Sequence, residues 1–156
     1  MNKYKLILNE EQMRTIAVAL EQYSRMICGQ LCTNYMPSIE HALHKEVKDF
    51  KTYINIRDEI NQKFNLIKEL IWGMTLGKSH GIGYDEKSDL AYDLYKVILH
   101  QFELDDMERC EKENKPYYSN VHSGKPLKHS KHPLMEVQKL DPREDKLNRI
   151  LGKDKE

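Results

Sequence analysis

The sequence predicts an α+β domain that is mostly helical, with about four main helices and a small two-stranded sheet. Three observations lead to this fold class. Apolar residues recur at helical spacing in four segments, and capping residues precede several of these segments. Short runs rich in strand-forming residues lie near the first residues and near residue 140. A length of 156 residues is typical of one domain, which we expect to span residues 1–140, with a charged helical tail over residues 141–156.

The first predicted elements are a strand and a long helix. Lys3 to Leu8 alternates loosely but is rich in strand formers, so we expect a short strand there. Asn9 and Gln12 have the spacing of a capping box, which predicts a helix start. The apolar pattern then continues over roughly residues 10–31. Gly29 falls in the interior of this predicted helix, where a glycine is costly, so we expect a close packing contact against it.

Three more helices are predicted in the middle of the chain. Pro37 interrupts the first helical pattern, and Ser38 can cap a second helix that reaches about Phe50. A third helix is expected over about residues 57–72. The segment 77–83 contains three glycines, which predicts a loop with unusual backbone angles. Asp85 or Ser88 can cap the fourth helix, which runs out into the acidic stretch 103–113.

The segment 114–133 has a different character from the rest of the chain. It contains four lysines, three histidines, three prolines and no acidic residue, so it cannot form a regular helix. Segments of this kind are usually functional or disordered, and both interpretations stay open. Residues 134–140 then predict a closing strand that pairs with the first one. A capping Asp141 followed by Pro142 predicts the start of the tail helix, which ends at Gly152.

Charge and hydropathy exclude several classes of protein. The 25 basic and 25 acidic residues cancel, which argues against a protein that coats nucleic acid. The net charge of zero is nevertheless the sum of acidic and basic parts of the chain, so it does not exclude a local pocket for a small anion. The chain has no apolar run of about 20 residues, and its first residues are too short for a signal peptide. Together with an odd number of cysteines, this predicts a cytoplasmic protein without a membrane partner.

Catalytic and metal-binding patterns are weak. The sequence has no Gly-x-Ser-x-Gly motif, and its paired carboxylates are typical of solvated helix ends. Cys28 and Cys32 lie on the apolar side of a predicted helix, where cysteine acts as a small hydrophobic residue. His129 and His132 share a basic loop but lack the remaining ligands of a zinc site. We therefore predict a protein that is not an enzyme and has no metal site and no cofactor.

Several residues could instead bind a small phosphate-bearing ligand. A glycine loop ahead of a helix can present backbone amides to an anion, although a tight turn explains the same glycines. Aromatic rings beside an arginine and an amide suit a purine, although these are also ordinary half-buried helix residues. The candidate ligand-binding residues are Tyr23, Arg25, Gln30, Lys78, Ser79, His80, Tyr92, Tyr95, Lys125 and Lys128.

A set of short motifs resembles a family of small uncharacterised proteins encoded by tailed bacteriophages. The similarity covers roughly residues 3–140 and does not include the tail. It rests on a strand, Leu-Asn-Glu-Glu-Gln, Tyr23-Ser24-Arg25 with Gly29-Gln30, the Gly81-Ile82 loop, Ala91-Tyr92-Asp93-Leu94-Tyr95, and the proline-bearing loop Ser123-Gly124-Lys125-Pro126-Leu127. The resemblance implies a phage origin and a setting in the cytoplasm of the host cell.

Three functional hypotheses follow. The first is a non-enzymatic phage protein that counters host defence by sequestering a nucleotide-derived immune signal, of the cyclic nucleotide or cyclic ADP-ribose type. Since a short chain has little room for a closed pocket, we expect a homo-oligomer with a site shared between subunits. The alternative is an interaction protein, either an inhibitor of a host defence protein or a morphogenesis factor. Nucleic-acid binding has the least support, from four lysines with Tyr117 and Tyr118 in the segment 114–133.

Overall fold

The structure, a computed structural model, describes residues 6–75, 77–119, 124–137 and 139. Within these residues the chain forms four α-helices and one short 3-10 turn, and it has no β-strand. The described part is therefore all-α, and the predicted α+β class is wrong. The elements are α1 (Glu10–Ile27), the 3-10 turn (Thr33–Tyr35), α2 (Pro37–Glu46), α3 (Phe50–Trp72) and α4 (Glu86–Lys112).

The two predicted strands are not strands where the structure describes them. Leu6 and Ile7 are 72% and 66% exposed, and the chain before α1 pairs with no neighbour in the described residues. Met135, in the predicted closing strand, instead packs against the core between α1 and α4. A lone two-stranded ribbon is marginally stable in water, so packing against existing helices is the better use of these apolar side chains. The predicted tail helix over residues 141–156 lies outside the described residues.

Helix α1 begins as the sequence predicts and ends earlier. The Asn9 side chain accepts a hydrogen bond from the Gln12 backbone, and the Gln12 side chain accepts one from the Asn9 backbone, which completes the capping box. The helix ends at Ile27, and Gly29 follows with a φ of +69°. The prediction that Gly29 lies inside the helix is therefore wrong. A glycine suits this position because the left-handed backbone is unfavourable for other residues.

Helices α1 and α4 pack against each other and enclose the core. Ala17 of α1 meets Ile98 and Phe102 of α4, and all three are buried. The partly buried residues around them are Met13, Ile16, Leu20, Tyr95, Leu99 and Met135. The Arg14 guanidinium lies 4.4 Å from the centre of the Phe102 ring and covers the open end of this core. Later residues of the chain, such as Met135, pack on this helix pair.

The boundary between α2 and α3 differs from the predicted one. Helix α2 has Pro37 at its start and ends at Glu46, short of the predicted end near Phe50. Asp49 then caps α3 by accepting hydrogen bonds from the Thr52 backbone at 2.7 Å and from its hydroxyl at 2.6 Å. Helix α3 therefore begins at Phe50, earlier than the predicted start near residue 57. The break was missed because Phe50 continues the apolar spacing of α2.

Helix α3 packs against α2 and the 3-10 turn. Thr33 donates hydrogen bonds from its backbone and its hydroxyl to the Asn61 side chain, and the rings of His44 and Tyr53 stack 4.6 Å apart. These contacts lie in the first half of α3. In its second half, Leu66, Ile67, Leu70 and Ile71 are 60%, 40%, 85% and 62% exposed. We call these four residues the α3 stripe.

Helix α4 is the longest helix described. Asp85 caps it by accepting from the Lys87 and Ser88 backbones, which confirms one of the two predicted capping residues. The helix continues through the acidic stretch to Lys112, where pairs such as Arg109 with Asp106 at 2.7 Å support it. None of the described helices is both long enough and apolar enough to cross a membrane.

After α4 the chain runs along this helix in both directions. The Tyr117 and Ser119 hydroxyls donate to the Glu103 carboxylate, each at 2.6 Å. Farther on, the His129 and Lys131 backbones donate to Asp93 and Glu86, nearer the start of α4. The chain then returns, and the Lys139 ammonium lies 3.2 Å from Asp105 and 3.0 Å from Glu108. Residues 124–137, which we call the return segment, therefore form an open path out and back over α4.

Candidate functional site

An open cleft of about 240 Å³ lies between α4 and the outgoing part of the return segment. Tyr92 and Lys96, one helical turn apart on α4, form one side. Residues of the return segment form the other side: Gly124, Lys125, Leu127 and His129. We call this the basic cleft.

The position of His129 is fixed by Asp93. The Asp93 carboxylate is 2% exposed and lies 2.8 Å from His129 Nδ1. It also accepts hydrogen bonds from the backbones of His129 at 3.1 Å and Ser130 at 2.8 Å. Burial on its own would raise the pKa of Asp93, but the hydrogen bonds from Ser130 and His129 outweigh it and lower that pKa below its ordinary value. The buried acid therefore stays charged and anchors the wall of the cleft.

The side chains around the basic cleft favour an anion. Lys96 and Lys125 bring positive charge, and the Tyr92 ring lies 5.6 Å from the His129 ring in an edge-on arrangement. No carboxylate belongs to the described residues that line the opening. Lysine ammonium groups bind phosphate as point charges, and an aromatic ring offers a face for a base or a sugar. The cleft can therefore hold a phosphate beside a flat or apolar group.

The predicted site residues do not meet in one place. Tyr92 and Lys125 line the basic cleft, as two of its six lining residues. Lys128 is exposed on the same segment but does not line it, and Tyr23 is 46% exposed on α1. Sequence reasoning did not select Lys96 and His129. Lys96 could have been found from its position four residues after Tyr92, because that spacing places both on one helix face.

Arg25, Gln30 and Tyr95 belong to a network between α1 and α4 instead. The Arg25 guanidinium donates two hydrogen bonds to Glu21, at 3.0 and 2.8 Å, and one to the Gln30 side chain at 2.8 Å. It also lies 4.5 Å from the centre of the Tyr35 ring. Burial and the neighbouring Glu21 raise the pKa of Tyr95 to about 12. These groups therefore satisfy one another within the fold, and none of them lines the basic cleft.

The glycine loop is tied to both main helices. The His80 backbone donates to the Cys28 carbonyl at 2.8 Å, and its ring stacks on Tyr84 with 3.5 Å between centroids. The Gly83 backbone donates to both oxygens of buried Asp89, at 3.0 and 3.1 Å. Lys78 and Ser79 are exposed, and neither lines the basic cleft. The loop therefore forms a brace between α1 and α4.

A second polar contact lies beneath this loop. The Ser88 hydroxyl, 1% exposed, lies 3.1 Å from the Ser24 hydroxyl and 3.1 Å from Cys28 Sγ. It also reaches the Ser24 carbonyl at 3.1 Å. These contacts place Cys28 in packing between the two helices, as predicted. Across the described ranges, no three His, Cys, Asp or Glu side chains are grouped so that they could hold a metal ion.

Comparisons with known proteins found no matching family model, no similar curated protein and no similar solved structure. The resemblance to phage proteins therefore stays a prediction.

Proposed function

We propose that this chain is a non-enzymatic binding protein for a small phosphate-bearing ligand, which it holds in the basic cleft. The observation that carries the proposal is the convergence of Tyr92, Lys96, Lys125 and His129 around one opening. In its narrower form, the ligand is a nucleotide-derived signal of the cyclic nucleotide or cyclic ADP-ribose type. A phage protein that sequesters such a signal would counter the defence of its host cell.

The chemistry of the cleft supports this class of ligand. Lys96 lies on a helix, while Lys125 lies on the return segment, so a phosphate between them would be contacted from both sides. His129 is oriented because its Nδ1 faces Asp93, which leaves Nε2 as the nitrogen for an external contact. Tyr92 is half-buried and has a ring face beside these groups. A charged group flanked by an aromatic ring is what recognition of a nucleotide needs.

The size of the cleft limits how much of a ligand it can bury. Pockets for organic ligands commonly enclose about 300–1,000 Å³, and the basic cleft measures about 240 Å³. It can hold a phosphate or a ribose phosphate, but a complete dinucleotide needs more surface. That surface comes either from a neighbouring part of this chain or from a second copy in a homo-oligomer.

Calorimetry with purified protein tests this proposal. The panel contains ADP, a cyclic dinucleotide, a cyclic ADP-ribose isomer and inorganic phosphate. We expect at least one organic phosphate to bind, and Lys125→Met or Lys96→Met to weaken it roughly tenfold, about 1.4 kcal/mol. Lys128→Met is the matched control, since Lys128 is exposed on the same segment and does not line the cleft. Absence of binding by every member of the panel, or an equal loss in the Lys128 variant, would contradict the proposal.

A second candidate function, protein–protein interaction, is favoured by the α3 stripe. Leu70 is 85% exposed and Leu66 is 60% exposed, and soluble monomers rarely leave such large apolar side chains grouped in contact with water. The occupant that we propose is a second copy of this chain. In an antiparallel pair of α3 helices centred between Lys68 and Glu69, Leu66 would oppose Ile71, and Ile67 would oppose Leu70, so the stripe is complementary to itself.

Light scattering after size-exclusion chromatography tests this candidate. We expect a dimer for the wild-type chain and a monomer for Leu70→Lys. Leu127→Lys is the control, since Leu127 is 73% exposed but lies on the return segment. A wild-type monomer at high protein concentration would contradict self-association through α3. A dimer that persists in Leu70→Lys would contradict the stripe as its interface.

A further inference from the structure

The return segment forms two clefts with α4, and they share one wall. The basic cleft lies on one side of its outgoing part. A second cleft, of about 260 Å³, lies between the outgoing residues Lys125 and Pro126 and the returning residues 134–137, over one face of α4. Lys125 lines both clefts. The two openings therefore adjoin each other on either side of Lys125.

The second cleft differs from the first in chemistry. Its lining is mostly apolar: Val97, Pro126, Leu134, Met135 and Val137, with His100, Gln101 and Lys125. Met135 also packs on the core between α1 and α4, which makes the floor of this cleft continuous with the interior. We call it the apolar cleft. An apolar surface next to a cationic one is suited to a ligand with two unlike ends.

The path of the return segment is held on both sides of these clefts. Asp93 and Glu86 accept backbone hydrogen bonds from residues 129–131, where the chain turns back. Beyond the apolar cleft, the Lys139 ammonium contacts Asp105 and Glu108. The segment is therefore fastened at the turn and after the return.

We propose that the two clefts form one bipartite site for an organic phosphate. The phosphate binds among Lys96, Lys125 and His129, and the apolar or aromatic group of the same molecule enters the apolar cleft. This inference rests on the proposed function and adds the class of ligand: a phosphate ester with an apolar part. Each cleft alone, at about 260 and 240 Å³, is smaller than the usual range of about 300–1,000 Å³ for an organic ligand, so an organic phosphate would need both.

The apolar part has two chemical sources, an alkyl chain or an aromatic ring such as a nucleobase. Both would leave water for the surface formed by Val97, Leu134 and Val137. Transfer of one methylene from water contributes about 0.8 kcal/mol, which corresponds to roughly a fourfold gain in affinity. The affinity should therefore grow with the apolar size of the phosphate ester, until the apolar cleft is filled.

Calorimetry with methyl phosphate, butyl phosphate, phenyl phosphate and AMP tests the inference on the full-length chain. We expect methyl phosphate to bind weakly at millimolar concentration and butyl phosphate, phenyl phosphate or both to bind at least tenfold more tightly. A gain with butyl phosphate alone identifies an alkyl chain as the source. A gain with phenyl phosphate and AMP identifies an aromatic ring. Each of these two results supports the bipartite site.

Two valine variants locate the gain. Val137→Ser should remove most of the advantage of the larger esters and leave methyl phosphate binding unchanged. Val18→Ser is the matched control, because Val18 is 39% exposed on α1 and lines neither cleft. Thermal unfolding shows whether each variant folds, and Leu134→Ser replaces Val137→Ser if the latter does not.

The outcomes separate this inference from the proposed function. If methyl phosphate binds and the larger esters bind no more tightly, the bipartite site is wrong and the basic cleft stands. If the larger esters gain affinity equally in Val137→Ser and the wild type, the apolar cleft is not where they bind, and the inference is overturned. If none of the four esters binds but ADP or a cyclic nucleotide does, the bipartite site is wrong and the proposed function stands. If no member of either panel binds, the proposed function itself is contradicted.

Discussion

The Asp93 carboxylate accepts a hydrogen bond from the side chain of His129, 36 positions later in the chain, with 2.8 Å between Oδ1 and Nδ1. The backbones of His129 and Ser130 donate to the same carboxylate. One buried acid of α4 thus fixes the turn of the return segment and one wall of the basic cleft. The segment 114–133 has no acidic residue of its own, so the carboxylate that accepts these hydrogen bonds comes from another part of the chain.

Asp93→Asn tests how much this contact stabilises the fold. An asparagine has the same shape as an aspartate but no charge. Its NH2 group is a donor, so it would replace one of the carboxylate oxygens that now accept hydrogen bonds from His129 and Ser130. We expect the free energy of unfolding to fall by about 3 kcal/mol, because breaking a buried, charged hydrogen-bond network is costly. Urea denaturation measures this. Asp58→Asn, at an exposed ion pair with Arg57, should change it by less than about 1 kcal/mol.

A loss of less than about 1 kcal/mol in Asp93→Asn would contradict the anchoring role of this acid. The variant should also weaken binding of ADP, since His129 would no longer be held in the wall of the cleft. A variant that folds normally but binds ADP as tightly as the wild type would contradict the link between Asp93 and the cleft.

The lowered pKa of Asp93 predicts how stability depends on pH. A carboxyl group whose pKa is lower in the folded state than in the unfolded chain stabilises the fold when it is ionised. Its contribution is complete above the ordinary value of 3.8 and is lost as the pH falls through the lower folded-state value. The difference in free energy of unfolding between the wild type and Asp93→Asn should therefore shrink below about pH 4. Urea denaturation at pH 3, 5 and 7 measures it; a difference that stays constant over this range would contradict the assignment.

Capping residues in the sequence predicted where helices start. The sequence was a poorer guide to where helices end and to which distant elements pack together. Asn9 and Asp85 cap their helices as expected, because a cap depends on residues within one turn. The start of α3 at Asp49 was missed, since Phe50 fits the apolar spacing on both sides of the break. Among the described residues the predicted sheet was wrong, since Met135 packs on the core between α1 and α4, and sequence alone does not show that tertiary contact.

The candidate site was predicted only in part, for a similar reason. Tyr92 was selected because it shares a helix face with Tyr95, and Lys125 because it lies in the basic segment 114–133; both line the basic cleft. Arg25 was selected as an arginine that suits a purine beside aromatic rings, whereas Glu21 and Gln30 accept hydrogen bonds from its guanidinium. Asp93 was not selected because helical spacing points it away from the face that Tyr92 and Tyr95 share. A signal was present: Asp89, Asp93 and Val97 follow one another at four-residue spacing, so two acids continue the buried face of α4.

Glycine loop variants test the brace between α1 and α4. Gly83 has a φ of +88°, and its backbone donates to buried Asp89. A Cβ added there would meet no atom within 4 Å, so any cost of Gly83→Ala comes from the backbone conformation. We expect a loss of about 1–2 kcal/mol in the free energy of unfolding. Gly81→Ala is the matched control: Gly81 also has open space around it but no positive φ, so the change should be near zero. Equal stability of the two variants would contradict the strained position of Gly83.

Arg25 and Lys125 should separate stability from binding. Arg25 is held by Glu21, Gln30 and the Tyr35 ring, so Arg25→Ala removes contacts within the fold. We expect it to lower the free energy of unfolding by about 1–2 kcal/mol and to leave the affinity for ADP within twofold of the wild type. Lys125→Met should do the reverse, because Lys125 is exposed and lines both clefts. Urea denaturation and calorimetry on the same two variants give both quantities. A tenfold loss of ADP binding in a folded Arg25→Ala protein would move the ligand to the Arg25 network and away from the basic cleft.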